Sequence, residues 1–266
     1  MDETTKIIQE FYNVNVDTEW SRIENRPEFL LTCRMLDRYI MPGDTVLDIG
    51  GGPGRYSLNL AAKGCEVTLI DLSPENVKFA VDRAAEEELT INAIAGDARE
   101  ADKLVDYQYD HVLLMGPMYH LLDESERIKS VNAALNRLKP GGIIYISFIN
   151  VFAGIIYYMK HLPDISVDPV GKEFVDKIIA GESHCGDAFT KVFFIDVKQV
   201  LPFMAQLPLE KLHYFGQEGV TAPCEPNIMA QSQDVINQWL DFSEAVWERE
   251  ELLNYSEHLM YVGRKK

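Results

Sequence analysis

The sequence predicts an α/β fold with a doubly wound, mostly parallel seven-stranded sheet, and three observations support this prediction. Short apolar segments rich in β-branched residues alternate with helical segments along residues 45–150. A glycine-rich turn follows the first of these apolar segments. Turn residues separate the segments at spacings typical of strand–helix–strand units, whose crossovers are right-handed when the strands are parallel.

The first part of the chain provides a helical cap and five strands. Apolar residues at helical spacing predict an N-terminal helical cap over residues 1–41. Helices are predicted after the glycine turn to about Lys63, from Pro74 towards Glu88 with Ser73 as the N-cap, and over residues 124–138. The strands are predicted at residues 45–49, 66–71, 91–95, 109–115 and 143–149.

The regular alternation stops after residue 150. Residues 151–190 hold scattered polar, glycine and proline positions and are predicted to be an insertion that acts as a substrate lid. A helix is expected over residues 197–205, and the last two strands over residues 211–215 and 259–262. A buried helical stripe is expected from Val235, Trp239, Phe242, Val246 and Leu253, and Trp247 is also expected in the core. Without a repeat or a low-complexity linker, residues 1–266 form one predicted domain.

The composition is that of an acidic globular chain. Of 266 residues, 47% are hydrophobic, and 25 Lys and Arg stand against 42 Asp and Glu, for a formal charge of −17. The apolar fraction excludes a disordered chain. The negative charge disfavours nucleic acid as a partner, because phosphate binding depends on Lys and Arg. The four cysteines have no paired spacing, so we expect neither a metal site nor disulfides, and a cytoplasmic location.

One uncharged stretch, residues 141–159, approaches the length of a membrane span. A turn is expected at residues 140–142, a strand-length apolar run follows it, and Asn150 interrupts the stretch. The N-terminus is acidic where a signal peptide would be basic and then apolar. We therefore expect no membrane partner and no export.

The glycine turn after the first strand is the first candidate ligand site. Ligands of parallel sheets bind beyond the carboxyl ends of the strands, where the strand order reverses. Glycines stand at positions 50, 52 and 54, and Arg55 occupies the position that a Gly-x-Gly-x-x-Gly dinucleotide motif gives to its third glycine. Asp48 precedes the turn, and its carboxylate suits a cationic ligand better than a pyrophosphate.

Two further acids follow the next two strands. Asp71 ends the second strand, where a carboxylate can hold a ribose diol. Asp97 follows the third strand and can accept a hydrogen bond from an exocyclic adenine amine. A structural turn or a helix cap explains each acid on its own, whereas three acids at successive strand ends favour a shared ligand.

These residues resemble a known family. Residues 46–56, Asp71, Asp97 and the segment 138–142 are similar to class I S-adenosylmethionine-dependent methyltransferases. Residues 116–121, Gly-Pro-Met-Tyr-His-Leu, resemble a segment of the bacterial small-molecule type. The resemblance covers about residues 22–150 well and the closing helix and strands more loosely. It implies a Rossmann-like methyltransferase fold, S-adenosylmethionine as cofactor and a small-molecule methyl acceptor.

The resemblance also implies a role for each matching position. The methionine moiety of the cofactor is expected near Asp48, Gly50 and Gly52. The ribose is expected on Asp71, and the adenine against Leu72, with its amine at Asp97 beside Ala98. Met115 is expected at the cofactor's edge, and Tyr12 is the candidate for the N-terminal aromatic residue that covers the cofactor in many family members.

His120 is the first candidate catalytic residue, with Tyr119 beside it. A histidine with a pKa near ~6.5 can accept the proton of an attacking amine or hydroxyl. The alternative is that His120 makes a structural hydrogen bond and the leucines after it pack in the core. The residues alone leave both roles open.

Three other functions compete with small-molecule methyl transfer. An NAD(P)-dependent oxidoreductase would use a related sheet, but the dinucleotide glycine spacing is missing. A non-catalytic S-adenosylmethionine-binding module would bind the cofactor without turnover. Amino-methylating DNA enzymes commonly carry Asp/Asn-Pro-Pro-Tyr/Phe after the fourth strand, whereas residues 116–119 here are Gly-Pro-Met-Tyr. The acceptor and the oligomeric state stay open.

Overall fold

The computed structural model describes residues 1–22 and 24–266, and its centre is one sheet with helices on both faces. The strands are β1 (Thr45–Ile49), β2 (Glu66–Asp71), β3 (Asn92–Ala95), β4 (Tyr109–Leu114), β5 (Leu138–Asn150), β6 (His184–Asp187), β7 (Lys191–Ile195), β8 (Leu209–Gly216) and β9 (His258–Lys265). The helices are α1 (Glu3–Val14), α2 (Val16–Arg22), α3 (Pro27–Leu36), α4 (Arg55–Ala62), α5 (Pro74–Glu86), α6 (Ala101–Leu104), α7 (Glu124–Asn136), α8 (Phe152–His161), α9 (Pro169–Ile179), α10 (Val197–Met204), α11 (Glu225–Met229) and α12 (Gln233–Val246).

The strand order confirms the predicted doubly wound sheet. Strands β3, β2, β1, β4 and β5 are parallel neighbours in that order. β9 pairs antiparallel with the other edge of β5, and β8 pairs antiparallel with β9. The order reverses between β1 and β4, which is the place where sheets of this kind bind ligands.

The predicted count of seven strands is too low, because the inserted region adds β6 and β7 to the sheet. β7 pairs in parallel with Ile149 and Asn150, the last residues of β5. Ile149 pairs with β9 on its other edge, so β7 lies on the β4 side, beyond the point where β4 ends. The strand β7 thus lies just past residue 190, where the predicted insertion ends.

Of three buried apolar clusters among the described residues, the two larger ones lie on opposite faces of the sheet. In β5, Ile144 and Ile146 belong to one cluster, whereas Ile143 and Tyr145 belong to the other. This alternation follows from the two-residue period of a strand. The first cluster includes residues of α7 and α10, and the second includes residues of α3 and α12.

The predicted core stripe of the closing helix is partly wrong. In α12 the buried apolar residues are Ile236, Leu240 and Val246, whereas Trp239 and Phe242 are 48% and 50% exposed. Apolar residues occupy more than one face of this helix, so periodicity alone selected the wrong register. Trp247, just after the helix, is buried as predicted.

The uncharged stretch at residues 141–159 is divided between two elements. Its first part is the inner length of β5, and its last part is most of α8. The turn predicted at residues 140–142 lies inside β5, where Gly141 has a φ of 75° and the pairing with β4 shifts register. Within residues 1–22 and 24–266, no helix combines the length and the apolar character needed to cross a membrane.

Candidate active site

A cavity lies beyond the carboxyl ends of the first four strands. It encloses about 1180 Å³ of space, part of which is open to solvent. All the residues that the sequence predicts for the site line this one cavity: Tyr12, Asp48, Gly50, Gly52, Asp71, Leu72, Asp97, Ala98, Met115, Tyr119 and His120. The topology therefore brings residues from five separate parts of the chain to one place.

Two glycines of the turn after β1 have different physical roles. Gly50 has a φ of 75°, and a Cβ on it would lie 2.5 Å from Cδ of Pro117, in the segment after β4. Gly52 has a φ of 56°, and no described atom lies within 4 Å of the place where its Cβ would be. Gly50 therefore permits close packing between two loops, whereas Gly52 leaves space next to the backbone.

Asp48 lies under this turn and is almost completely buried. Its Oδ2 accepts a hydrogen bond from the Ser57 hydroxyl at 2.7 Å. Burial raises the pKa of Asp48 to about 7, with a further increase from Asp71 and a partial offset from Ser57. A cation bound near this carboxylate would favour its charged form and lower that pKa.

Asp71 connects the turn after β1 to the turn after β2. Its carboxylate accepts hydrogen bonds from the backbone N–H of Gly52 at 2.8 Å, from that of Ser73 at 2.9 Å and from the Asn76 amide at 3.1 Å. Burial raises the pKa of Asp71, although these bonds oppose the increase. A carboxylate has about four acceptor positions, so capacity for a further donor remains.

Asp97 is held by an arginine that the sequence analysis did not single out. The backbone N–H of Arg99 donates to Asp97 at 2.9 Å, and its guanidinium binds the same carboxylate at 2.5–3.0 Å. Arg99 also binds Glu126 at 2.9 Å and the hydroxyl of Thr5, in α1, at 3.0 Å. The arginine fixes the orientation of Asp97 and connects the loop after β3 to α1.

The N-terminal helix α1 forms one wall of the cavity. Thr5, Ile8 and Tyr12, which share one helical face, line it. The Gln9 amide donates to the backbone oxygen of Leu72 at 2.8 Å, and the Ser73 hydroxyl donates to Asn13 at 2.6 Å. These bonds hold α1 against the turn after β2.

His120 has both ring nitrogens engaged. Nδ1 lies 3.0 Å from the backbone oxygen of Lys191, and Nε2 lies 2.6 Å from the Tyr12 hydroxyl. Burial lowers the pKa of His120 to about 4. Tyr119 packs edge-on against His120, and burial raises the pKa of its hydroxyl. At neutral pH the site thus holds a neutral imidazole and protonated phenols.

A charged group lines another part of the cavity, and no sequence motif indicated it. Arg22, at the end of α2, donates from Nε to Glu19 and from Nη1 to Glu28, both at 3.1 Å. Ser147 of β5 and Gln217 also line the cavity and are hydrogen-bonded to each other. The helical pattern at residues 16–22 did not indicate a site, because the contact between Arg22 and Glu28 joins two separate helices.

Glu28 also faces a histidine–glutamate pair. Nδ1 of His258 lies 2.5 Å from Oε1 of Glu218 and 3.9 Å from Oε2 of Glu28. Burial lowers the pKa of His258, but Glu28 and Glu218 outweigh it and raise the pKa to about 9. The three side chains are close enough to share a metal ion. A protonated imidazole has no free lone pair at Nδ1, so this group is an ion pair near neutral pH.

Comparison with known proteins gives a consistent family match. Residues 46–142 match the family model described as a methyltransferase domain. The ubiquinone biosynthesis O-methyltransferase of Caulobacter vibrioides is 29% identical over 174 residues, which cover 65% of this chain and 62% of that protein. The chain thus spans less than two thirds of the length of the first curated relatives that it matches.

Two solved structures share the fold over nearly the whole chain. Magnesium protoporphyrin IX methyltransferase from Synechocystis PCC 6803, with bound S-adenosylhomocysteine, has a TM-score of 0.59 at 12% identity and covers 99% of this chain and 100% of its own. The N-methyltransferase NodS from Bradyrhizobium japonicum WM9, also with S-adenosylhomocysteine, has a TM-score of 0.57 at 15% identity, covering 99% of both chains. At these sequence identities, the similarity shows a shared fold and nothing further.

Proposed function

We propose that this protein transfers a methyl group from S-adenosylmethionine to a small-molecule nucleophile. Residues 46–142 match a methyltransferase domain, and the chain has a class I methyltransferase fold. The observation that carries the proposal is the position of three carboxylates. Asp48 and Asp71 lie in the carboxyl ends of β1 and β2, Asp97 lies just beyond β3, and all three line one cavity next to the point where the strand order reverses.

The residues present fit the proposed cofactor. Asp48 provides a buried carboxylate for the cationic methionine end, and Gly52 leaves room beside it. Asp71 has capacity left for a ribose hydroxyl, and Asp97 is oriented by Arg99 to meet an adenine amine between Leu72 and Ala98. Met115 and Tyr12 complete the walls.

The protein's contribution to the reaction is mainly positioning. S-adenosylmethionine supplies an electrophilic methyl group on a sulfonium. The glycine turn and the acids would orient it, and α1, which forms one wall of the cavity, would limit the access of water; orientation and water exclusion are what an in-line displacement needs. Tyr119 and His120 stand at the proposed reacting centre, on the segment whose Pro117 packs against Gly50.

The acceptor is proposed to be a small molecule. A net charge of −17 disfavours nucleic acid, and the polar group of Glu19, Arg22 and Glu28 gives the cavity a wall that can contact a polar acceptor. We also propose a cytoplasmic location, supported by the four cysteines, all of which are free thiols. The Caulobacter vibrioides relative is named as an O-methyltransferase. The assay below determines which atom of the acceptor this protein methylates.

The test is a methyl-transfer assay. The protein is incubated with methyl-labelled S-adenosylmethionine and a panel of small amines, phenols, thiols and carboxylic acids, and S-adenosylhomocysteine and labelled products are measured. The proposal predicts at least one labelled product above the background without acceptor. Cofactor binding without turnover on any acceptor would favour the non-catalytic module, and binding of NAD(P)H instead would favour the oxidoreductase.

A further inference from the structure

Two other parts of the chain contact His120, which lies on the segment after β4. The first is α1, through Tyr12. The second is the inserted hairpin, defined as β6 and β7 with their turn, through the backbone of Lys191. The ring of Phe189, in that turn, lies 5.8 Å from the ring of Phe11 in α1 and 5.9 Å from the His120 ring. The N-terminal cap and the insertion therefore contact each other over the segment that follows β4.

The hydrogen-bond partners fix the state of the imidazole. A backbone carbonyl only accepts, so Nδ1 of His120 carries the proton and donates it to Lys191. Nε2 then has a lone pair, and the Tyr12 hydroxyl donates to it. The lone pair that a general base would use is occupied by a residue of α1.

We propose that His120 is a positioning residue that couples α1 to the inserted hairpin and so controls release of the bound cofactor. This inference rests on the proposed function only where it concerns the cofactor. The coupling itself follows from contacts between residues of this chain.

Because α1 forms part of the cavity wall, its coupling to the hairpin affects how a ligand is held. Thr5, Ile8 and Tyr12 form one wall of the cavity, so a ligand in contact with that wall would lose those contacts if α1 moved away. Such a movement breaks the bond between Tyr12 and His120. The bond from His120 to Lys191 would transmit the change to the hairpin, which occupies the other side of the same segment.

Replacing His120 has effects of different size if it is a positioning residue and if it is a general base. Removing a neutral buried hydrogen bond changes an equilibrium by about 2- to 10-fold. Removing a general base lowers turnover by about 100- to 10,000-fold. A glutamine at position 120 places an amide oxygen near the place of Nε2 and has no titrating group, so it can accept from Tyr12 without acting as a base.

The experiment combines hydrogen exchange of the cofactor-free protein with S-adenosylhomocysteine titrations. The variants are Tyr12→Phe, His120→Ala, their double variant and His120→Gln. The matched control is Tyr39→Phe, which removes a tyrosine–histidine hydrogen bond of 2.7 Å, to His213, outside the cavity. Melting temperatures identify any variant that fails to fold.

The proposal predicts faster amide exchange in both α1 and the inserted hairpin for Tyr12→Phe and for His120→Ala, and a Kd for S-adenosylhomocysteine raised about 2- to 10-fold. The double variant is no worse than the worse single variant. His120→Gln restores the affinity to within about 2-fold of the wild type, and Tyr39→Phe changes neither readout.

Three results would overturn the proposal. Exchange that changes in α1 alone would show that the hairpin is not coupled to it. Additive effects in the double variant would show that Tyr12 and His120 act independently. A His120→Gln protein that binds S-adenosylhomocysteine normally but loses turnover 100-fold or more would make His120 the base. If exchange is coupled but no S-adenosylhomocysteine binds, the proposed function fails and the coupling stands.

Discussion

Replacing Gly52 with alanine separates the backbone requirement of the glycine turn from its ligand requirement. Gly52 has a φ of 56°, and the new methyl group would project into space with no described atom within 4 Å. Gly43 has a φ of 92° and is equally free of neighbours, but it lies before β1 and does not line the cavity. Gly43→Ala is therefore the matched control for backbone strain.

The expected magnitudes differ between the two variants. A side chain in the left-handed region costs roughly 1–2 kcal/mol, so both variants lose about that much stability. In Gly52→Ala the methyl group also occupies space that the methionine moiety would fill. Overpacking of this kind costs about 1–3 kcal/mol, which corresponds to a Kd for S-adenosylhomocysteine raised about 5- to 150-fold.

Stability is measured by urea denaturation, with tryptophan fluorescence as the readout. Affinity is measured separately, by calorimetric titration with S-adenosylhomocysteine. Equal stability losses with an affinity loss confined to Gly52→Ala would agree with the proposed cofactor position. If Gly52→Ala binds within about 2-fold of the wild type, no ligand lies beside this glycine and the placement is refuted. If both variants lose affinity equally, the loss comes from strain in the fold.

Three further predictions concern charged groups. Because the pKa of Asp48 is about 7, affinity for S-adenosylmethionine rises up to about 10-fold between pH 6 and 8 as the carboxylate ionises; Asp48→Asn gives a flat profile in the same titration. His258 has a folded pKa of about 9, above its unfolded value near 6.5, so its stabilisation is complete below pH 6.5 and is lost as pH rises through 9. Urea denaturation at pH 6–10 checks this, and His258→Gln removes that part of the slope. Arg99→Met leaves Asp97 and Glu126 without their cation, which lowers stability by about 1–3 kcal/mol and weakens S-adenosylhomocysteine binding several-fold; unchanged melting and affinity would contradict this.

Local patterns were sufficient for the strand-end residues of the site. Asp48 and Asp71 lie in the carboxyl ends of short apolar strands and Asp97 lies just beyond a third, and parallel connectivity places such ends at one edge of a sheet. Their common cavity was therefore predictable from the order of elements. The helix cap at Ser73 was predictable for a similar reason, because its hydroxyl accepts from the nearby Asn76 N–H.

The remaining features depend on contacts between distant residues. The partners of His120 lie 108 and 71 residues away in the chain, and no periodicity indicates that Tyr12 and Lys191 meet there. The same applies to Arg22 and Glu28, which come from α2 and α3. In α12, apolar residues on two faces left the choice between Trp239 and Leu240 to tertiary packing.

A crystal structure of the protein with S-adenosylhomocysteine would show whether the cavity holds the cofactor as proposed. We expect the ribose hydroxyls within hydrogen-bond distance of Asp71, the adenine between Leu72 and Ala98 with its amine at Asp97, and the methionine moiety beside Gly50 and Gly52. A ligand bound elsewhere, or in this cavity with its ribose away from Asp71, would contradict the proposed cofactor site.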